Sequence, residues 1–245
     1  MKRILLVQSR KSPEWIRVEQ DNYRRAVGGL ARLDFLSALD EQLTWTSPDQ
    51  ILAGYDGVMF GGSTDFDLDG GRSEKDPARI MAVRIVSRTR LLVSYALEHN
   101  LPVLGICFGH QIIAQMHDGK VVSDVEQKKV GSHEVHLTPE GERDPLFNGF
   151  PKNFFAQYWH GDSITKLPTG AVLLATGPTC RFSALRYGER AYTLQFHPEA
   201  NYSRFSELLK QSGNVPEGVD IGSVVRETPE ASTLIQTWIE RIVTI

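Results

Sequence analysis

Leu101-Pro102-Val103-Leu104-Gly105-Ile106-Cys107-Phe108-Gly109-His110-Gln111-Ile112-Ile113-Ala114-Gln115-Met116 is the stretch that decides the fold of this chain. Residues 101–106 form a short apolar run that reads as a buried strand, and residues 112–116 read as a helix. Between them lies a G-x-C-x-G turn, the cysteine form of a nucleophile elbow. Its glycines let the backbone turn sharply and leave room around the sulfur. The Cys107 side chain then stands at the carboxyl edge of a sheet, where open α/β folds carry their chemistry. The amino end of the following helix favours thiolate over thiol. The pattern points to acyl transfer through a thioester.

Outward from this turn, strands and helices alternate. Strands are predicted at 3–7, 33–39, 55–60 and 101–106. Helices are predicted at 15–30, 48–52 and 77–99, with Pro77 at a helix start and Asn100 as a stop. Such alternation implies a parallel sheet wound on both faces. The second half changes period: strands at 130–137, 154–158, 171–176, 181–187 and 191–196, with a hairpin turn at Gly188-Glu189, read as a mixed or antiparallel extension. A helix at 201–212, a loop at 212–227 and an amphipathic helix at 229–242 close the chain. There is no internal repeat, and no domain boundary stands out.

With 245 residues, 41% hydrophobic, the chain suffices for one sizeable α/β domain. A net charge of -3 gives no sign of binding to nucleic acid or an anionic membrane. Two cysteines, Cys107 and Cys180, do not make a disulfide framework and suit a reducing compartment. Only four apolar residues precede Gln8, too few for a signal peptide, and no run approaches a membrane span. The expectation is a soluble, cytoplasmic protein.

A cysteine nucleophile needs a base, and the base needs something to orient it. Gln195-Phe196-His197-Pro198-Glu199 offers both. A short extended step brings the Glu199 carboxylate to the far imidazole nitrogen of His197, fixing its tautomer. Pro198 stiffens that step.

Together these two motifs resemble those of the class I (triad) glutamine amidotransferases, among them the glutaminase domain of GMP synthetase. The resemblance runs over about residues 4–204. It implies a flavodoxin-like three-layer α/β sandwich, with a mixed, mostly parallel sheet, as a single domain over 1–245, residues 205–245 being a C-terminal helical extension. It also implies roles: Cys107 as nucleophile on the glutamine amide, His197 as base and then acid, and Glu199 orienting it. The oxyanion hole would use the backbone N–H of Phe108 and of Gly62 in Phe60-Gly61-Gly62-Ser63. Gly61 and Gln111 would contact substrate. Trp159-His160-Gly161-Asp162 resembles a family loop in which Asp162 would hold the α-ammonium of glutamine. No cofactor and no metal are needed.

The family glycine loop often carries proline where this chain has Ser63. Only about 45 residues follow the His-Pro-Glu motif, too few for a second ordinary domain. Either a separate synthetase subunit takes the ammonia, or none does. The alternatives are a free-standing γ-glutamyl peptide or amine hydrolase with the same triad, or a non-enzymatic regulatory subunit that keeps the fold.

Other patterns weigh less. Asp65-Phe66-Asp67-Leu68-Asp69-Gly70 with Asp76 nearly matches a calcium loop. Aspartate replaces the bidentate glutamate, however, and no helix precedes it. A solvated acidic loop bordering the substrate site is the reading. His133 and His136, three apart on a strand, face opposite ways and do not make a zinc pair. Cys180 reads as a small buried hydrophobe, and Lys128-Lys129 as a solvated charge pair.

Overall fold

Leu5 and Val7 pack into one hydrophobic cluster while Ile4 and Leu6 pack into another, so the first strand is buried on both faces. That is the mark of a central parallel strand covered by helices on either side. The computed structural model of the protein describes residues 1–212 and 220–244. In chain order its elements are β1 (Lys2–Gln8), α1 (Pro13–Val27), β2 (Ala31–Ser37), α2 (Pro48–Leu52), β3 (Gly57–Phe60), α3 (Pro77–Glu98), β4 (Val103–Ile106), α4 (Phe108–Met116) and β5 (Lys120–Ser123). There follow β6 (Lys129–Leu137), α5 (Pro139–Arg143), β7 (Asn153–His160), β8 (Asp162–Lys166), β9 (Ala171–Thr176), β10 (Ala184–Tyr187) and β11 (Ala191–Leu194). Helices α6 (Tyr202–Ser212), α7 (Ile221–Val224), α8 (Pro229–Ser232) and α9 (Leu234–Trp238) lead into a π-helical turn at Ile239–Val243.

The main sheet has nine strands in the order β2-β1-β3-β4-β11-β10-β9-β6-β7. Its first five are parallel, and from β11 onward each neighbour runs antiparallel. This is the flavodoxin-like α/β order expected, extended by an antiparallel flank. Among the described residues, no helix is long and apolar enough to cross a membrane.

Local chemistry explains the helix ends. Pro77 occupies the first turn of α3, and the Asp76 carboxylate accepts from the Ala78 N–H at 2.8 Å. Helix α1 stops where Gly28 adopts φ 61°. Two strands escaped the sequence reading. β5 and β8 form a small antiparallel sheet of their own, too short and too polar to stand out from loop. The predicted loop at 212–227 contains α7; its residues 213–219 lie outside the described residues. The C-terminal stretch is not an appendage. Ile235, Trp238 and Ile239 share one cluster with Ile4, Leu6 and Tyr23, and cover the α1 face of the sheet.

Strand β4 lies between β3 and β11 in the parallel half. The carboxyl ends of these three strands therefore bring Gly61-Gly62, Cys107 and His197 side by side from sequence positions far apart. Helix α4 lies very close to β3: a Cβ on Gly109 would stand 2.2 Å from the Phe60 carbonyl oxygen. Gly109→Ala should therefore cost about 3 kcal/mol through overpacking against backbone, read as a lower urea midpoint with an unchanged slope.

His110, the next residue of α4, is fully buried. Its Nε2–H donates to the Phe182 carbonyl at 3.0 Å, and Nδ1 accepts from the Thr193 hydroxyl at 2.7 Å. Burial lowers its pKa from 6.5 to about 3. Between those values the unfolded chain binds a proton that folded His110 refuses, so stability falls as pH falls. His110→Gln, which can make both hydrogen bonds, should remove about 1.4 kcal/mol per pH unit from that acid slope, measured as urea midpoints between pH 6 and 4.

Candidate active site

Cys107 ends β4 and opens α4 with φ 52° and ψ -100°, a region that side-chain-bearing residues avoid. Holding it there costs on the order of 1–3 kcal/mol. Hydrogen bonds on both sides over-determine the turn: Cys107 N–H donates to Leu194 O at 2.8 Å, and Cys107 O accepts from Gln111 N–H at 3.1 Å. A side chain at Gly105 would come within 2.9 Å of Gly109 backbone, so both flanking glycines are required by packing. The sulfur is buried and its S–H donates to the Trp159 carbonyl at 3.6 Å.

His197 follows β11, its N–H tied to Gln157 O at 2.8 Å. Nδ1 lies 2.7 Å from Glu199 Oε1, the contact expected from the two-residue step. The carboxylate accepts a hydrogen bond from Nδ1–H and leaves Nε2 free to face the sulfur. Nε2 is buried and has no hydrogen-bond partner among the described residues. Burial opposes charge on this ring, but the Glu199 carboxylate and the Cys107 sulfur outweigh it and hold His197 well above the usual imidazole value. Gly62 sits between the two: a Cβ there would lie 3.3 Å from His197 Cε1 and 3.7 Å from Cys107 Cβ. Among the described residues the N–H groups of Gly62 and Phe108 donate to no protein acceptor; Phe108 follows Cys107 directly in the chain.

Three expected substrate contacts are differently engaged. Gly61 donates to Val7 O and accepts from Gly109 N–H, each at 3.1 Å, so its polar groups hold the glycine turn to β1 and α4. Gln111 spends its amide N–H groups on Asp162 O at 2.8 Å and Gln195 Oε1 at 3.2 Å. The Asp162 carboxylate accepts from Asp69 N–H at 2.8 Å and Gly70 N–H at 2.7 Å. It latches the acidic loop over the cleft, and any ammonium must use its remaining lone pairs. Burial raises its pKa.

That acidic loop is less solvated than its composition suggests. Asp65 accepts from Lys11 N–H, Asp67 pairs with Arg72, and Asp69 accepts from Ser123 N–H and pairs with Arg79. Its carboxylates point to different partners, and among the described residues no group of three His, Cys, Asp or Glu could hold a metal. His133 and His136 make separate local contacts, to Val130 O and Glu134.

A buried ion pair beside the site was not anticipated. Arg10, just past β1, pairs with Glu19 of α1 at 3.1 Å and donates to the Thr64 hydroxyl. Gln8 donates to the other Glu19 oxygen at 2.8 Å. A Cβ on Gly62 would lie 3.3 Å from Arg10 Nη2, so the guanidinium borders the same pocket of space as Cys107 and His197. The signal was present in α1: Glu19 falls in line with Tyr23 and Val27 on the inward stripe, where a charge needs a partner.

Cys107, Phe108, Gln111, His160 and Asp162 line a cleft of about 220 Å³. His160 is neutral there, its pKa lowered to about 3 by burial, and its Nδ1–H donates to Asp162 O at 3.0 Å.

A sequence model of the family glutamine amidotransferase class-I matches residues 68–213, more than half of the chain. One subunit of the glutamine-hydrolyzing GMP synthase of Methanocaldococcus jannaschii is 32% identical over 127 residues, 51% of this chain and 65% of that protein. The glutamine-hydrolyzing GMP synthase of Thermosipho melanesiensis is 35% identical over 119 residues, 48% of this chain but 22% of that protein. The chain thus spans less than two thirds of the length of these relatives. Among solved structures, a glutamine amidotransferase of Thermotoga maritima superimposes with a TM-score of 0.72 at 21% identity, covering 100% of this chain and 99% of that one. A glutamine amidotransferase of Methylobacillus flagellatus gives 0.65 at 15%, covering 100% and 93%. These two are likenesses of fold.

The latch can be tested by itself. Hydrogen bonds to a carboxylate are worth about 1.5–3 kcal/mol, so Asp162→Ala should speed hydrogen exchange at the Asp69 and Gly70 amides by about tenfold or more, with α3 amides unchanged.

Proposed function

Because the chain belongs to the class I glutamine amidotransferase family, we propose that it hydrolyses the side-chain amide of glutamine through a thioester on Cys107. The observation that carries this reading is the convergence of Cys107, the His197–Glu199 pair and two unpaired backbone N–H groups at the ends of adjacent strands. The Cys107 sulfur adds to the amide carbon, its proton passing to His197. Negative charge develops on the carbonyl oxygen, and the N–H groups of Gly62 and Phe108 stabilise it, typically by about 10²–10³ in rate for each such donor. The C–N bond breaks, the electron pair stays on nitrogen, and His197 supplies the proton that lets ammonia leave. His197 then takes a proton from water, the hydroxide adds to the thioester carbon, and the C–S bond breaks to release glutamate.

Glu199 keeps the imidazolium stable through the first half of the cycle, in keeping with the raised pKa of His197. Gln111 and the Asp162 latch shape the end of the cleft that receives the glutamyl chain. Two features of the relatives extend to this chain within the proposal: the described residues act as one glutaminase domain, and the ammonia passes to an acceptor on a separate synthetase subunit.

Glutamate release from glutamine by the purified protein tests the reading, with Cys107→Ala expected to abolish it. Glu199→Gln should lower kcat/KM about 10²–10⁴-fold. It should also move the alkaline limb of the kcat/KM profile to lower pH, because an imidazolium without its carboxylate loses its proton sooner. An active Cys107→Ala protein, or a Glu199→Gln profile that does not shift, would contradict the mechanism.

A further inference from the structure

The turn that carries the Gly62 N–H is supported unevenly. At Gly61 the backbone is tied on both sides, its N–H to Val7 O and its carbonyl to Gly109 N–H. Among the described residues neither the N–H nor the carbonyl of Gly62 has a backbone partner. What lies against the turn instead is a buried ion pair. A Cβ on Gly61 would stand 2.7 Å from Glu19 Oε1, and one on Gly62 would stand 3.3 Å from Arg10 Nη2. Carboxylate and guanidinium thus rest on two successive glycines. The next fixed point along the chain is Thr64, whose hydroxyl accepts from Arg10 Nη1 at 3.1 Å.

The pair itself is rigidly placed. Glu19 Oε1 receives both Nε and Nη2 of Arg10 at 3.1 Å, and Gln8 Nε2 donates to Oε2 at 2.8 Å. The side chains are only 9% and 4% exposed. Arg10 therefore spends one edge of its planar fork on Glu19 and a third nitrogen on Thr64, a geometry that the single ammonium of lysine does not reproduce. Desolvation offsets most of the attraction within such a pair, so an apolar pair of similar volume would serve packing as well. What the charged pair adds is direction.

We propose that Arg10, held by Glu19, is a positioning residue for the oxyanion: it fixes the segment from Gly61 to Thr64 and through it the aim of the Gly62 N–H. The role rests on the thioester mechanism proposed above. Arg10 acts through the backbone and exchanges no proton with substrate. A donor serves a developing oxyanion only at about 2.7–3.1 Å, and a misplacement of about 1 Å can cost about 10²-fold in rate. The charge on that oxygen exists only in the tetrahedral state, so loss of the clamp falls on kcat and spares the binding of glutamine.

Two reactions of the same sulfur test this. Glutamine hydrolysis passes through an oxyanion. Alkylation by iodoacetamide, in which the Cys107 sulfur displaces iodide from a saturated carbon, does not, yet it depends on the same cysteine and histidine. Arg10→Met should lower kcat for glutamine about 10²-fold, with KM within about threefold and the iodoacetamide inactivation rate within about twofold of wild type. Arg10→Lys, which keeps the charge and loses the fork, should lie close to Arg10→Met. If Arg10→Met does not fold, the double variant Arg10→Met with Glu19→Leu, which leaves no unpaired charge, takes its place. Hydrolysis and alkylation falling together, a loss confined to KM, undiminished hydrolysis, or recovery of kcat in Arg10→Lys overturns the positioning role and leaves the glutaminase standing. Wild-type protein that is alkylated at Cys107 but releases no glutamate from glutamine overturns the mechanism on which the role rests.

Discussion

The approach of α4 to the end of β3 is the constraint on which the candidate site depends. Gly109 N–H donates to Gly61 O, and the Phe60 carbonyl leaves no room for a side chain at Gly109. This contact forces the turn between β4 and α4 to be tight enough that Cys107 takes a positive φ. It also draws the Gly61-Gly62 turn alongside the first turn of the helix. The strained cysteine, the helix amino end and one unpaired glycine N–H are thus consequences of one interelement distance. Strain at the cysteine is tolerated because the turn is hydrogen-bonded on both sides, to β11 and along α4.

Around that centre, charges are buried in pairs. Arg10 with Glu19, and His197 with Glu199, both reach the space beside Gly62, where a Cβ would lie 3.3 Å from Arg10 Nη2 and from His197 Cε1. A buried ion pair is a poor source of stability, since desolvation offsets most of the attraction. Its effect here is positional. Glu19 is held by Gln8 as well as Arg10, and Arg10 reaches Thr64 beyond the glycine turn. The amino end of the chain thereby braces the loop that borders the cleft. The acidic loop is braced from the other side, through Asp162 and Ser123.

Lys129 illustrates how far a residue's setting can depart from its type. Read as half of a solvated pair with Lys128, it is buried, its ammonium 4.7 Å from the centroid of the Tyr158 ring. Burial lowers its pKa. Lys128, just before β6, is exposed, whereas Lys129, the first residue of β6, turns into the protein. Nothing in the dipeptide itself distinguishes them.

The sequence by itself determined what depends on neighbours in the chain. The glycine-flanked cysteine between an apolar run and a helix, and the two-residue step from His197 to Glu199, are local geometry. Their structural counterparts, the elbow and the 2.7 Å contact, appear where the motifs stand. The parallel half of the sheet was equally legible, because strands buried on both faces are written as unbroken apolar runs. The tertiary structure alone decided what depends on packing between distant segments. It gave Asp162 the backbone of the acidic loop, more than ninety residues away in the chain. It paired Arg10 with Glu19 beneath Gly62, made β5 and β8 strands by pairing them, and set the C-terminal helices into the α1-side core. A side chain's type and local spacing fix what it can bond to. Which partner it meets is fixed only when strands from opposite ends of the chain are laid side by side.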